Sequence, residues 1–164
     1  MEKQRRNVLK RILLSVTGAT GLGLFAAKAE GVAATPSAPA KAPEKEALNV
    51  VTDDQQVPLF SGSTKFNGLV FIAGKGAHVE PFEIKAHTEI VLKELEKELI
   101  AAGSSMEKVL KVTVFLNDIA DYAGMNEVYK GRFGSKPPVR TTVAVAKGGV
   151  PGNSLVEMDC IAIA

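Results

Sequence analysis

Residues 45–164 predict an α+β fold, a β-sheet that carries two helices on one face. Three observations predict it. β-Branched and aromatic runs recur along the chain, each bounded by turn residues. Between the second and third runs, apolar residues return at helical spacing. A second helical stretch separates the third run from the fourth, with no repeat or second-domain signal.

The first strand is "ALNVV" (47–51), and "TKFNGLVFIAG" (64–74) follows it. Asn67-Gly68 divides the latter, because that pair tolerates the positive φ angles of a two-residue hairpin turn. A helix spans Ile84 to Ala102, with Ile84, Val91, Leu95, Leu99 and Ala102 on one face and Gly103 placed to cap its end. "VLKVTVFLND" (109–118) is the next strand, and Asp118 is positioned to cap a second helix running through Phe133. On that helix Tyr122, Asn126, Tyr129 and Phe133 share a face, so the Asn126 amide needs partners in a half-buried place. The prolines of "KPPVRTTVAVA" (136–146) end the helical stretch and force extended backbone. The last strand, "LVEMDCIAIA" (155–164), is joined to this one by "KGGVPGNS". With both helices on one face, the other face stays partly apolar and requires a partner.

The ends of the chain set its surroundings. "MEKQRRNVLKR" is a basic head before the moderately apolar run Ile12–Ala27, and small residues follow at spacings that suit a signal peptidase. Residues 1–29 are therefore expected to be a signal peptide. The pair Arg5-Arg6 with Asn7-Val8-Leu9-Lys10 looks like a twin-arginine export signal, which predicts a periplasmic protein. An ordinary secretory signal or an uncleaved anchor helix is the alternative. Residues 30–44 form an Ala/Pro-rich linker, and the domain runs over 45–164 with no stable membrane span expected in the mature form.

Charge and cysteine narrow the function classes. The chain has a net charge of +2, but residues 1–29 contribute +5, so the remainder is −3. Such a balance disfavours nucleic acid as a partner. Cys160 is the sole cysteine, so no internal disulfide forms, and its apolar setting suggests an inert buried thiol. No His/Cys/Asp/Glu pattern has metal-ligand spacing, and His78 and His87 are assigned surface or structural roles. Neither a metal nor a cofactor is expected.

Arg140 stands out. Beyond residue 29 there are twelve lysines but two arginines, and this one opens an apolar strand beside small neighbours, Thr142 and Ala144. A guanidinium there either pairs internally, with Glu157 or Asp159, or is kept for bidentate recognition of an anion. Glu157 poses the mirror-image question in the last strand. "AGKG" (73–76) leaves bare backbone at a strand end, where a ligand can approach closely.

Together, "GLVFIAGKG", "AAGSSMEKVLKVTVFLNDIADYAGMNEVY", "PPVRTTVAVA" and "VEMDCIAIA" resemble the RidA/YjgF family of imine and enamine deaminases, in the family's order over nearly all of residues 45–164. The resemblance implies a chorismate-mutase-like mixed sheet with two helices on one face, assembled as a homotrimer with sites between subunits. It implies hydrolysis of 2-imino or 2-enamino acids, such as 2-aminoacrylate and 2-iminopropanoate, to 2-oxo acids and ammonia. Arg140 falls on the family's carboxylate-binding arginine and Glu157 on the acid that positions the hydrolytic water. Gly74 and Thr142 fall on backbone groups that hold substrate and water, and Asn126 on a cleft asparagine. Phe60 stands where tyrosine is typical, and Thr142 where cysteine is frequent; Ala73 and Lys75 replace Ser and Gln, so Lys75 offers charge for a second acidic group. The alternative on the same fold is a trimeric binder of small carboxylates without turnover. Ribonuclease and translation-inhibitor activity, an older association of the family, is disfavoured by the acidic balance.

Overall fold

The computed structural model describes residues 42–164; the signal peptide expected at 1–29 and the linker up to residue 41 lie outside them. Six strands, β1 (Glu46–Thr52), β2 (Pro58–Phe66), β3 (Leu69–Gly76), β4 (Val109–Leu116), β5 (Val139–Ala144) and β6 (Val156–Ile163), accompany two helices, α1 (Ile84–Ala101) and α2 (Tyr122–Tyr129). The strands make one mixed sheet in the order β1-β2-β3-β6-β4-β5. Every neighbouring pair is antiparallel except β4 and β5, which run parallel and are therefore joined by a crossover, the α2 segment.

Strand alternation decides where the core sits. Val112 and Val114 of β4, and Met158, Cys160 and Ala162 of β6, turn to one face and are buried there against Val91, Leu95 and Leu99 of α1. Met125 and Tyr129 of α2 join the same core, so both helices cover one face as the sequence predicts. Residues of opposite parity point to the uncovered face, where Phe71 and Val143 are exposed.

Two local expectations match the structure closely. Asn67 and Gly68 adopt φ of 49° and 78°, the left-handed pair that closes the β2–β3 hairpin. At the end of α1, Gly103 has φ 79°; its N–H donates to the Ile100 carbonyl, and that of Ser104 donates to the Leu99 carbonyl. These two bonds satisfy carbonyls that the last helical turn leaves open.

Elsewhere the boundaries differ. β2 begins at Pro58 rather than Thr64. Its first half, "PLFSGS", lacks apolar alternation and becomes a strand through pairing, with Phe60 opposite Val51 and Ser61 opposite Val50. Asp118 does not cap a long helix. Its carboxylate accepts the Ala120 N–H and starts a 3-10 turn, Ile119–Asp121, before α2, which stops at Tyr129. Gly131 and Gly134 take positive φ beyond it, so Phe133 is buried from a turn and not from a helix.

Two polar groups, one buried and one half-buried, tie the layers together. His87 is fully buried on α1, and its Nδ1 must accept the Leu155 N–H at 3.1 Å because a backbone amide can only donate. The other ring nitrogen therefore carries the proton and donates to the Val79 carbonyl at 3.0 Å. Glu98, near the end of α1, accepts from Asn49 Nδ2 at 2.6 Å, Ser63 Oγ at 3.1 Å and Lys75 Nζ at 3.1 Å, one donor from each of β1, β2 and β3. Burial by itself raises the Glu98 carboxyl, but these hydrogen bonds and the Lys75 charge together hold it below the usual carboxylate range.

A folded-state pKa lowered in this way contributes stability above the unfolded value, near 4.5, which is lost as pH falls through the folded value. Glu98→Gln should therefore lower the melting temperature at neutral pH and flatten its decline below about pH 4.5. Thermal unfolding followed from pH 7 to pH 3 checks this; parallel curves for parent and variant would refute it.

Candidate functional site

Arg140 sits on β5 opposite Val112, so its side chain lies on the helix-covered face at the sheet's edge. Here α2 wraps it. The guanidinium carbon lies 4.6 Å from the centre of the Tyr129 ring and 5.7 Å from that of Tyr122; Nη2 donates to the Tyr122 oxygen at 3.2 Å, and Nη1 approaches Met125 Sδ at 4.0 Å. Neither Glu157 nor Asp159 pairs with it, and none of the ion pairs among the described residues involves Arg140. Of the two choices open in the sequence, internal pairing with Glu157 or Asp159 is therefore absent among the described residues. Ring faces and a thioether hold the cation in place without neutralising it, and its remaining N–H donors suit an anion. By contrast Arg132, the other arginine of the domain, is neutralised by Glu89.

Two polar atoms in this neighbourhood lack partners. Tyr129 Oη and Thr142 Oγ1 are buried without a hydrogen bond, and Thr142 shares Arg140's face two residues along β5. Burial pushes the Tyr129 phenol up to about 12 despite the nearby Arg140 charge, so it stays protonated. Asn126 lies one turn beyond Tyr122 on α2 and is half-buried, but no hydrogen bond of the described residues uses its side-chain amide.

Glu157 belongs to the other side of the sheet. It pairs with Phe115 across β4 and so points to the uncovered face. The β3–β6 ladder brings Gly74 to it through a bulge: Ile72 faces Cys160, yet Lys75 faces Met158, so β3 advances three residues while β6 advances two. The extra residue leaves Gly74 directly under the Glu157 carboxylate, where any Cβ would collide with it. A side chain at residue 74 would force the Glu157 carboxylate to move, so glycine keeps the backbone open on this side. Beside Glu157 a recess of about 140 Å³ is lined by Phe115, Val145, Gly149, Val150 and Pro151. A larger cavity, about 410 Å³, lies around Phe82, Asn117 and Asn153 and contains no ionisable side chain.

The same bulge decides the fate of Lys75. Opposite Met158, it turns to the helix-covered side, where Glu98 holds its ammonium. It is not brought to the Gly74–Glu157 pair, so the charge offered for a second acidic group is already answered within the fold. Phe60 is exposed on β2, with β3 between it and β6. Within one chain the candidate residues thus fall into two sets. Arg140, Thr142 and Asn126 cluster at the β5–α2 edge, and Glu157 meets Gly74 on the uncovered face.

Tyr122, Met125 and Tyr129 are neighbours of Arg140 that the sequence alone did not assign to the site. Their spacing of three and then four residues on the helix just before the arginine strand was the available signal. Cys160 is buried, and burial first, with Asp159 adding, pushes its thiol up to about 12, as expected of an inert cysteine. Among the described residues no group of His, Cys, Asp or Glu side chains is arranged to hold a metal ion, and no helix is long and apolar enough to cross a membrane.

Comparison with known proteins agrees with this architecture. The family model described as endoribonuclease L-PSP matches residues 55–164. A RutC family protein of Pyrococcus horikoshii is 36% identical over 121 residues, covering 69% of this chain and 94% of that protein. The chloroplastic Reactive Intermediate Deaminase A of Arabidopsis thaliana is 32% identical over 133 residues, covering 77% and 70%. Among solved structures, a member of the YjgF/YER057c/UK114 family from Mycobacterium tuberculosis matches with a TM-score of 0.63 and 25% identity, over 74% of this chain and 100% of that one.

Proposed function

Because the chain belongs to the endoribonuclease L-PSP family, that of the RidA/YjgF proteins, we propose that it hydrolyses reactive 2-imino and 2-enamino acids to 2-oxo acids and ammonia. The observation that carries this reading is Arg140, a half-buried guanidinium fixed by Tyr122, Met125 and Tyr129 and paired with no carboxylate of the described residues. Such a group is prepared for a small carboxylate. A relative named for deamination of reactive intermediates supports the reaction class.

In the reaction proposed, a 2-enamino acid first tautomerises to the imine. Water adds its oxygen to C2 while the C=N π electrons move to nitrogen. Glu157 takes a proton from the water and returns it to that nitrogen, so that from the protonated imine C2 carries a hydroxyl and an ammonium group. Glu157 then takes the hydroxyl proton as the C=O bond forms, the C–N bond breaks and ammonia leaves. A protonated imine is already a good electrophile, so orientation and proton transfer are the main demands on the protein. Arg140 supplies the first through the carboxylate, and Gly74 lets backbone and substrate approach the Glu157 side.

Arg140 and Glu157 face opposite sides of the sheet, so the proposal includes a homotrimer in which each site combines the β5–α2 edge of one copy with the Glu157–Gly74 face of its neighbour. That arrangement also covers the apolar sheet face.

The decisive experiment is ammonia release from imino acids generated in situ by an amino-acid oxidase. Faster release than in enzyme-free controls supports deamination. Phe60, exposed and without a hydroxyl, favours a second reading: saturable binding of 2-oxo acids with no acceleration of ammonia release would make the protein a carboxylate binder.

Periplasmic export by a twin-arginine system is part of the same proposal, on the motif Arg5-Arg6. Replacing both with lysine keeps the charge and should trap the precursor in the cytoplasm, as seen by fractionation. Normal export of that variant would defeat the twin-arginine assignment.

A further inference from the structure

Tyr122 carries an implication of its own, which rests on the reading of Arg140 as an anion site. Its oxygen accepts a hydrogen bond from Arg140 Nη2 at 3.2 Å. A guanidinium has donors only, so the phenol's own proton cannot be used on Arg140 and must point elsewhere. No other hydrogen bond of the described residues involves this hydroxyl, and the side chain is 42% exposed. The proton is thus available on the solvent side of the cation. Tyr129, by contrast, is buried beneath the guanidinium.

We propose that Tyr122 is a specificity-determining residue whose phenol O–H donates to the carboxylate held by Arg140. A carboxylate has two oxygens and about four lone-pair sites, enough to take guanidinium N–H donors and one phenol together. Donation by the phenol and acceptance from Arg140 reinforce one another, because each polarises the O–H bond in the same sense. The consequence is selectivity for planar carboxylates over anions that engage the guanidinium alone.

The test uses the full chain and 2-oxobutanoate as probe. The protein has two tyrosines, Tyr122 and Tyr129, so a chain with 13C at the hydroxyl-bearing ring carbon gives two tyrosine signals, assigned by Tyr122→Phe. Titration should move the Tyr122 signal with the same Kd that calorimetry reports. Tyr122→Phe keeps the ring beside Arg140 and should weaken binding about tenfold with an unchanged melting temperature. A stationary Tyr122 signal, or parent-like affinity in Tyr122→Phe, overturns the inference provided that the parent binds and Arg140→Lys weakens binding. If the parent does not bind 2-oxobutanoate, the anion-site reading falls first and this inference with it.

Discussion

Glu157→Gln should slow ammonia release by about 10²- to 10⁴-fold, the range for loss of a general acid–base group, and leave 2-oxo-acid affinity near that of the parent. The amide matches the carboxylate in shape and still hydrogen-bonds, but it cannot take a proton from water. Its place over Gly74 on the uncovered face is kept, and the buried core on the other face is untouched, so the fold should persist. Single-turnover release measured beside calorimetric binding separates the two effects. Unchanged turnover would remove Glu157 from the chemistry. A mixing experiment adds a test of the assembly. If each site takes Arg140 and Glu157 from different copies, an equal mixture of Arg140→Lys and Glu157→Gln chains, unfolded and refolded together, should recover about a quarter of parent activity by random assembly. No recovery would place both groups in one chain's site.

The second large effect is expected at Arg140→Lys. Lysine keeps the charge but replaces a planar fork with a single rotating ammonium, so bidentate recognition is lost. Affinity for a 2-oxo acid should fall by about 10- to 100-fold, in line with about 1.5–3 kcal/mol for a hydrogen bond to a charged group. Stability should change little, because Arg140 has no carboxylate partner among the described residues to abandon. What it gives up is its place over Tyr129 and a bond to Tyr122, and lysine can retain part of the cation–π attraction. The informative measurement is therefore a pair on one sample, affinity and thermal unfolding. Undiminished affinity with a lowered melting temperature would assign Arg140 to the fold.

How far each feature was legible depended on the range of the interaction that made it. The Asn67-Gly68 turn and the Gly103 cap depend on φ preferences of single residues, and such preferences are written locally. α1 was legible because its buried stripe repeats within one helix. The first half of β2 was not, because pairing with β1, not its own residues, makes it extended. α2 came out shorter than its apolar pattern because Phe133 reaches the core from a glycine-rich turn, which periodicity cannot distinguish from another helical turn.

The candidate site divides along the same line. Sequence alone determined that Arg140 and Glu157 are out of place in apolar strands, and that Gly74 leaves backbone open to close approach, since residue type against strand pattern suffices for that. Only the tertiary structure decided that Arg140 has rings and a thioether around it in place of a carboxylate, and that Lys75 is spent on Glu98. It also decided that Arg140 and Glu157 point to opposite faces. The physical reason is that alternation fixes parity only within a strand. Which parity meets the helices depends on the register between strands, and one extra residue in β3 turned Lys75 inward while setting Gly74 beneath Glu157.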